Sequence, residues 1–345
     1  GLGAGRRIPA RIFPDHSLFA MPLQTAVGYA SLTGPRGRNE DYCGMVTPQG
    51  SELDNKGVLA AVADGIGGHR GGREAAEYTV RGLLADYYAT PDTWSIPRAI
   101  ETVTTALNRW VIAEAGRNAE LAGMATTLSA LVLRGRRYYT AHIGDSRIYR
   151  FQEGRLTPLT VDHTWDHPEL NNVLSRAIGL DPRVLMDFAD GELAAGDRFL
   201  LVTDGVWGAL PDALMAEVLL DHPEPRAAAA ALASLALAQG GQDNASALVV
   251  DVLALPPANL RDSLESDARL PLPHRLKPGH ELDGLVVEEV LHEPERPVRY
   301  VAVQALPKGD RAEQAVEMLT ELGVDEIVPW QAERSVVRWA PDRVE

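Results

Sequence analysis

The 345-residue chain is poor in cysteine, with Cys43 its single example. No internal disulfide can form and no cysteine-built zinc site is possible, which suits a reducing cytosol. Apolar residues make up 45% of the chain, yet none of its apolar runs nears the roughly 18 consecutive positions of a membrane-spanning helix. The first twenty residues carry Arg6, Arg7 and Arg11 but no continuous apolar segment. They read as a disordered extension rather than a signal peptide. Basic residues are also scarce: 33 Lys and Arg stand against 48 Asp and Glu, a net charge of -15. Nucleic-acid and membrane-surface binding favour a cationic face, so neither partner is expected, and the cytoplasm is the expected location. No repeat of solenoid length is present.

Acidic residues, in contrast, recur in a definite setting. Asp41 (RNEDYCG), Asp64 (VLAAVADGIGGH), Asp204 (RFLLVTDGVWG) and Asp243 (GGQDNASALVV) each stand at the end of an apolar run or at a glycine turn. Asp145 (AHIGDSRIYR) has the same character. A buried strand that stops at Asp-Gly places a carboxylate at the rim of a sheet. Several such rims brought together make an oxygen-only site, of the kind that holds magnesium or manganese rather than zinc.

The pattern along the chain is that of an α+β protein. Residues 25–32 alternate like a half-buried strand, and Val58 to Val62 form a buried strand that ends at Asp64. Gly65, Gly67, Gly68, Gly71 and Gly72 then make an open loop, which suits a backbone that must approach a ligand closely. This loop lacks the Lys-Ser/Thr ending of a phosphate-cradling P-loop. Helices are expected from about Arg73 to Ala89 and from Ser95, an N-cap followed by Pro97, with Ile100, Val103, Leu107 and Val111 as the apolar stripe. SALVLR, RRYYTAHI and SRIYRF read as an antiparallel meander, RFLLVT and ASALVVDVL as further strands, and PDALMAEVLL and PRAAAAALASLALAQ as helices. Strands and helices come in blocks rather than in strict alternation, which favours a layered sandwich over a doubly wound sheet.

Taken in order, TGPRGRNED, VADGIGGHRGG, GMATTLSALVL, AHIGDSRIYRF, LTVDHTW, LLVTDGVWG and GGQDNASALVV resemble the metal-dependent Ser/Thr protein phosphatases of the protein phosphatase 2C family, bacterial branch, over about residues 24–253. The resemblance implies a four-layer α-β-β-α sandwich with two central antiparallel sheets. It implies hydrolysis of phosphoserine and phosphothreonine in proteins by a hydroxide bridging two Mn²⁺ or Mg²⁺ ions, on substrates made by a Ser/Thr kinase. Asp64 would bridge the ions, the Gly65 carbonyl would ligate one, and Asp204 and Asp243 would complete the other. Glu40 and Asp41 would hold metal-bound waters, or one of them would coordinate directly. Asp145 matches the position that supports a third, weaker ion, and Asn244 would orient Asp243. Arg36 would grip the phosphate in a fork, and His69 would protonate the leaving alkoxide. Thr126 and Thr127 would support the site from beneath, His163 reads as a packing or substrate-edge residue, and Cys43 as a small core residue.

After Leu255 the character changes. Residues 256–277 are proline-rich and charged and read as a linker. LKPGHELDGLVVEEVLHE resembles the opening of a kinase-like domain, but no glycine-rich loop, VAIK, HRD or DFG segment follows, so kinase activity is not expected. From about Val301 the text resembles an inner piece of the bacterial 16S ribosomal RNA uridine methyltransferases of the knotted class, without the glycine-rich segment that holds S-adenosylmethionine. Residues 278–345 are thus expected to form a small α/β appendage, of βαβ type and without methyl transfer. A non-catalytic binding module would have lost metal aspartates, and all are present. An RNA-modifying enzyme sits badly with the missing cofactor segment and the net charge of -15.

Overall fold

A computed structural model describes residues 22–66, 70–165 and 173–257, and in the tail the strand residues 281–282, 285–286, 301–305 and 326–330. The chain divides into two units, Gly1–Asn259 and Leu260–Glu345. Residues 1–20, His69, most of the expected linker and most of the expected α/β appendage lie outside the described residues.

In chain order the first unit contains β1 (Gln24–Leu32), β2 (Tyr42–Val46), α1 (Ser51–Lys56), β3 (Val58–Ala63), β4 (Gly65–Ile66), α2 (Arg70–Ala89) and α3 (Ile96–Arg117). Next come β5 (Ala125–Thr126), β6 (Leu128–Arg134), β7 (Arg137–Ile143), β8 (Arg147–Gln152), β9 (Arg155–Pro158), β10 (Asp187–Glu192) and β11 (Arg198–Val202). The unit ends with α4 (Asp204–Trp207), α5 (Asp212–Asp221), α6 (Pro225–Ala238) and β12 (Ala245–Ala254). Two five-stranded antiparallel sheets form, in the orders β1-β12-β11-β8-β9 and β10-β7-β6-β3-β2.

The strand sequences explain the layering. In β3 every residue is buried, because alternate side chains serve two cores. Leu59, Ala61 and Ala63 pack with Val80, Leu83, Ile100 and Val111 of α2 and α3. Val58, Ala60 and Val62 pack instead between the sheets, against Phe199, Leu201, Leu248 and Val250 of β11 and β12. On the far side Leu200, Val202, Val249, Leu232 and Ala233 join the second sheet to α5 and α6. The result is helices, sheet, sheet, helices, the expected four-layer α+β sandwich. Ser95 caps α3 as expected, its hydroxyl accepting from the Arg98 N–H at 3.4 Å.

One expectation is corrected. SALVLR, RRYYTAHI and SRIYRF are not one meander. β6 and β7 pair with each other, but β8 pairs with β9 and β11 in the other sheet. The chain crosses between sheets at Gly144–Ser146, where Gly144 takes φ +110°, a conformation that side-chain-bearing residues rarely adopt. The crossing is what brings Asp145 to the rim.

In the second unit Glu281–Leu282 pairs antiparallel with Leu285–Val286. Val301–Ala305 pairs parallel with Glu326–Trp330. Among the described residues no helix is long and apolar enough to cross a membrane.

Candidate metal centre

Antiparallel pairing puts the start of one strand beside the end of its neighbour, and this gathers the scattered acids at one rim. Tyr42 faces Ala63, so Asp41 and Asp64 lie at the same end of the β2–β3 pair. Val202 faces both Arg147 and Ala247, so Asp204, Asp145 and Asp243 meet at the corresponding end of the other sheet. A cleft of about 840 Å³ opens there, lined among others by Arg36, Arg38, Glu40, Asp64, Gly65, Asp145, Asp204, Asp243 and Asn244. All of the expected site residues that lie among the described ones reach it except Asp41, which is buried just beneath.

Each side chain has a local reason for its place. Asp64 follows directly from β3. Its N–H donates to Thr127 Oγ1 at 2.9 Å, and its carbonyl accepts from Thr126 Oγ1 at 2.8 Å and from the Thr127 N–H at 2.9 Å. Thr127 Oγ1 also meets Ser146 Oγ at 2.7 Å, joining Asp64 to the turn of Asp145. Thr127→Val strands the buried Asp64 N–H and is expected to cost about 1–3 kcal/mol of stability. Urea unfolding in chelator measures this, and an unchanged midpoint would remove the threonine's supporting role. Gly65 pairs with Thr126, and a Cβ there would clash with the carbonyl of Gly72, so the residue after the aspartate must be glycine.

Asp41 Oδ2 accepts from the Thr203 hydroxyl at 2.8 Å. Thr203 gives no signal in sequence beyond a hydroxyl one residue before Asp204 in a run of apolar side chains. Asn244 works differently from expectation. Only its backbone N–H reaches Asp243 Oδ1, at 2.8 Å. Its side-chain amide fastens the preceding loop, donating to the Thr33 and Arg38 carbonyls and accepting from the Glu40 N–H. Arg36 pairs with Asp243, Nη2 to Oδ2 at 2.6 Å, and its Nε donates to the Gln242 carbonyl. His163 is buried, as the packing reading expects, and its Nδ1 accepts from the Gly144 N–H at 3.1 Å. Cys43 packs beside the inter-sheet core, where burial pushes its thiol up, away from reactivity.

The electrostatics are those of a site short of positive charge. Burial, then the neighbouring charges of Asp41, Asp204 and Asp145, hold the Asp64 carboxyl far above the usual carboxylate range. Burial also raises Asp204, which is in hydrogen-bond contact with Asp64. Asp41 and Asp145 are both pushed up to about 7, by burial first and by Asp204 among the charges. Glu40 is raised by burial, with Arg38 and Arg36 opposing. Asp41 Oδ1 and Asp204 Oδ1 are buried with no hydrogen-bond partner. Orphaned anionic oxygens of this kind are costly unless a cation satisfies them. The donor set, carboxylates with an adjacent glycine carbonyl, fits hard divalent ions. Among the described residues no three His, Cys, Asp or Glu side chains already close on one point.

The family profile described as protein phosphatase 2C matches residues 37–239, and one described as an RNA methyltransferase domain matches residues 294–345. The serine/threonine phosphatase stp of Listeria innocua is 31% identical over 65% of this chain and 95% of that protein. The serine/threonine protein phosphatase PstP of Mycobacterium tuberculosis is 33% identical over 56% of this chain, which spans only 40% of PstP. The solved catalytic domain of PstP in complex with two manganese ions superposes with a TM-score of 0.56 at 32% identity, covering 67% of this chain and all of that one. Sandwich and acidic cleft together define a protein-serine/threonine phosphatase. The chain belongs to the protein phosphatase 2C family.

Proposed function

We propose that the chain removes phosphate from phosphoserine and phosphothreonine side chains of proteins, with two Mn²⁺ or Mg²⁺ ions in the cleft and a third, weaker one at Asp145. The observation that carries this reading is the concentration of buried acids at one rim, two of them with unsatisfied oxygens, beside the guanidinium of Arg36. Divalent ions there supply an activated water and neutralise phosphoryl charge.

The chain's own residues do the rest. Asp64, the Gly65 carbonyl, Asp204 and Asp243 would hold the ions, with Asp41 and Glu40 supporting them through water or directly. Thr203 keeps Asp41 in place through its hydroxyl. Arg36, whose side chain is 56% exposed, can leave Asp243 once that carboxylate is neutralised and turn its fork to the phosphate. His69 keeps its sequence-based role as proton donor to the leaving alkoxide. Phosphoproteins made by a Ser/Thr kinase are the partners in this reading, and the single cysteine supports a cytoplasmic setting. No methyl transfer is assigned to the tail.

The test is release of phosphate from phosphoserine and phosphothreonine peptides by the full chain with manganese or magnesium. Activity is expected with metal and absent in chelator. Arg36→Ala is expected to lower kcat/KM by about tenfold or more, with Arg36→Lys restoring only part, since a lysine cannot form the fork. Equal rates in chelator and in metal would end the reading.

A further inference from the structure

The turn that carries Asp145 is held by more than its sequence suggests, and the central tie is Trp207. This residue sits one helical turn after Asp204 in α4. Its indole Nε1–H donates to the backbone carbonyl of Asp145 at 3.0 Å. Its ring is also covered by a cation: the Arg147 guanidinium carbon lies 3.5 Å from the ring centroid. Each of the three guanidinium nitrogens makes a hydrogen bond. Nε and Nη2 fork onto Asp162 at 2.9 and 2.7 Å, and Nη1 donates to the Tyr149 hydroxyl at 3.1 Å.

The arrangement matters because Arg147 stands only two residues from Asp145. A free arginine beside a site carboxylate pairs with it, as Arg36 does with Asp243. Such a pair at Asp145 would compete with a cation for the same oxygens. Stacking on Trp207 and the fork to Asp162 keep Arg147 occupied elsewhere. The same indole ties the Asp145 backbone to the helix that begins at Asp204.

We propose that Trp207 is a positioning residue for the Asp145 arm of the metal centre: its N–H fixes the turn and its ring holds Arg147 away, leaving the Asp145 carboxylate open to a divalent cation. This rests on the metal-dependent phosphatase reading of the cleft. It assigns Trp207, Arg147 and Asp162 a joint task that neither the spacing of the motifs nor their chemistry alone discloses.

The experiment uses the full chain and counts bound Mn²⁺ by calorimetry, alongside phosphopeptide turnover across a manganese series. Trp207→Phe keeps an aromatic ring and loses the N–H. Asp162→Asn keeps the indole and frees Arg147, and it serves should the tryptophan variant fold poorly. Each is expected to move the weakest Mn²⁺ binding step about tenfold to higher concentration, the size usual for groups that orient metal ligands. Tighter steps stay in place, and excess manganese recovers kcat. On an Asp145→Asn background neither substitution adds to the loss.

A purely structural tryptophan would lower the melting temperature without moving the Mn²⁺ isotherm. That result, or an additive loss on the Asp145→Asn background, overturns the proposal while wild-type binding and turnover leave the phosphatase reading standing. A wild-type chain that neither binds Mn²⁺ nor hydrolyses phosphopeptide overturns both.

Discussion

Asp204→Asn is expected to lower phosphopeptide turnover by about three orders of magnitude and, in chelator, to raise the melting temperature. Both effects come from one carboxylate. The loss follows because, in the proposed reading, Asp204 is one of the acids that hold an ion, and removing a group needed for charge stabilisation costs rate on this scale. The gain follows because the metal-free site is strained by its own charge. Asp204 is mostly buried, faces Asp64 and feels Asp243, and its Oδ1 has no partner. Asparagine is nearly the same shape, carries no charge, and its amide can donate to Asp64. Core substitutions usually destabilise by about 0.5–3 kcal/mol. Here the expected change is the opposite, about 1 kcal/mol of stabilisation, or roughly 2–4 °C for a unit of this size. Turnover within tenfold of wild type would remove Asp204 from the centre. A lower melting temperature in chelator would mean that the acids are not crowded as described.

Parts of this site and fold were legible in the chain for a definite reason. Strands such as Val58–Ala63 and Arg198–Val202 bury both faces, so they stand out as apolar runs, and the aspartates that end them stand out in turn. Helix α3 announces itself by Ser95, Pro97 and a regular stripe. What was not legible depends on partners far away in sequence. β10, DFADGE, is an edge strand that is mostly exposed, so it has no apolar alternation to read. The switch of sheets at Gly144 looks locally like any hairpin turn, since only the pairing of β8 with β11 distinguishes it. Asn244 stands beside Asp243 in sequence, yet its amide serves carbonyls at Thr33 and Arg38, about two hundred positions away. Proximity along the chain shows the backbone bond to Asp243 but not these distant partners of the side chain.

The largest effect on stability is expected from metal, and its pH dependence has a definite sign. Asp41 and Asp145 are held near 7 in the metal-free fold against an ordinary value of 3.8. A carboxyl raised in this way favours the folded state while it is protonated, and that contribution is lost as pH rises from about 4 through about 7. Divalent ions act in the opposite direction. They need the ionised carboxylates, so binding releases protons and weakens as pH falls. At pH 7.5, with Mn²⁺ at about a hundred times its dissociation constant, linkage gives roughly 2.7 kcal/mol of stabilisation per site. At pH 5 protons occupy the same oxygens, and the increment is expected to shrink towards zero. Melting the wild-type chain with manganese and with chelator at each pH isolates the effect, because every titrating group remote from the centre contributes equally to both curves. The gap between the two melting temperatures should open between pH 5 and 7.5. A gap that is constant across this range would mean that the ions do not compete with protons for Asp41 and Asp145, and that the buried acids are balanced by something other than a metal.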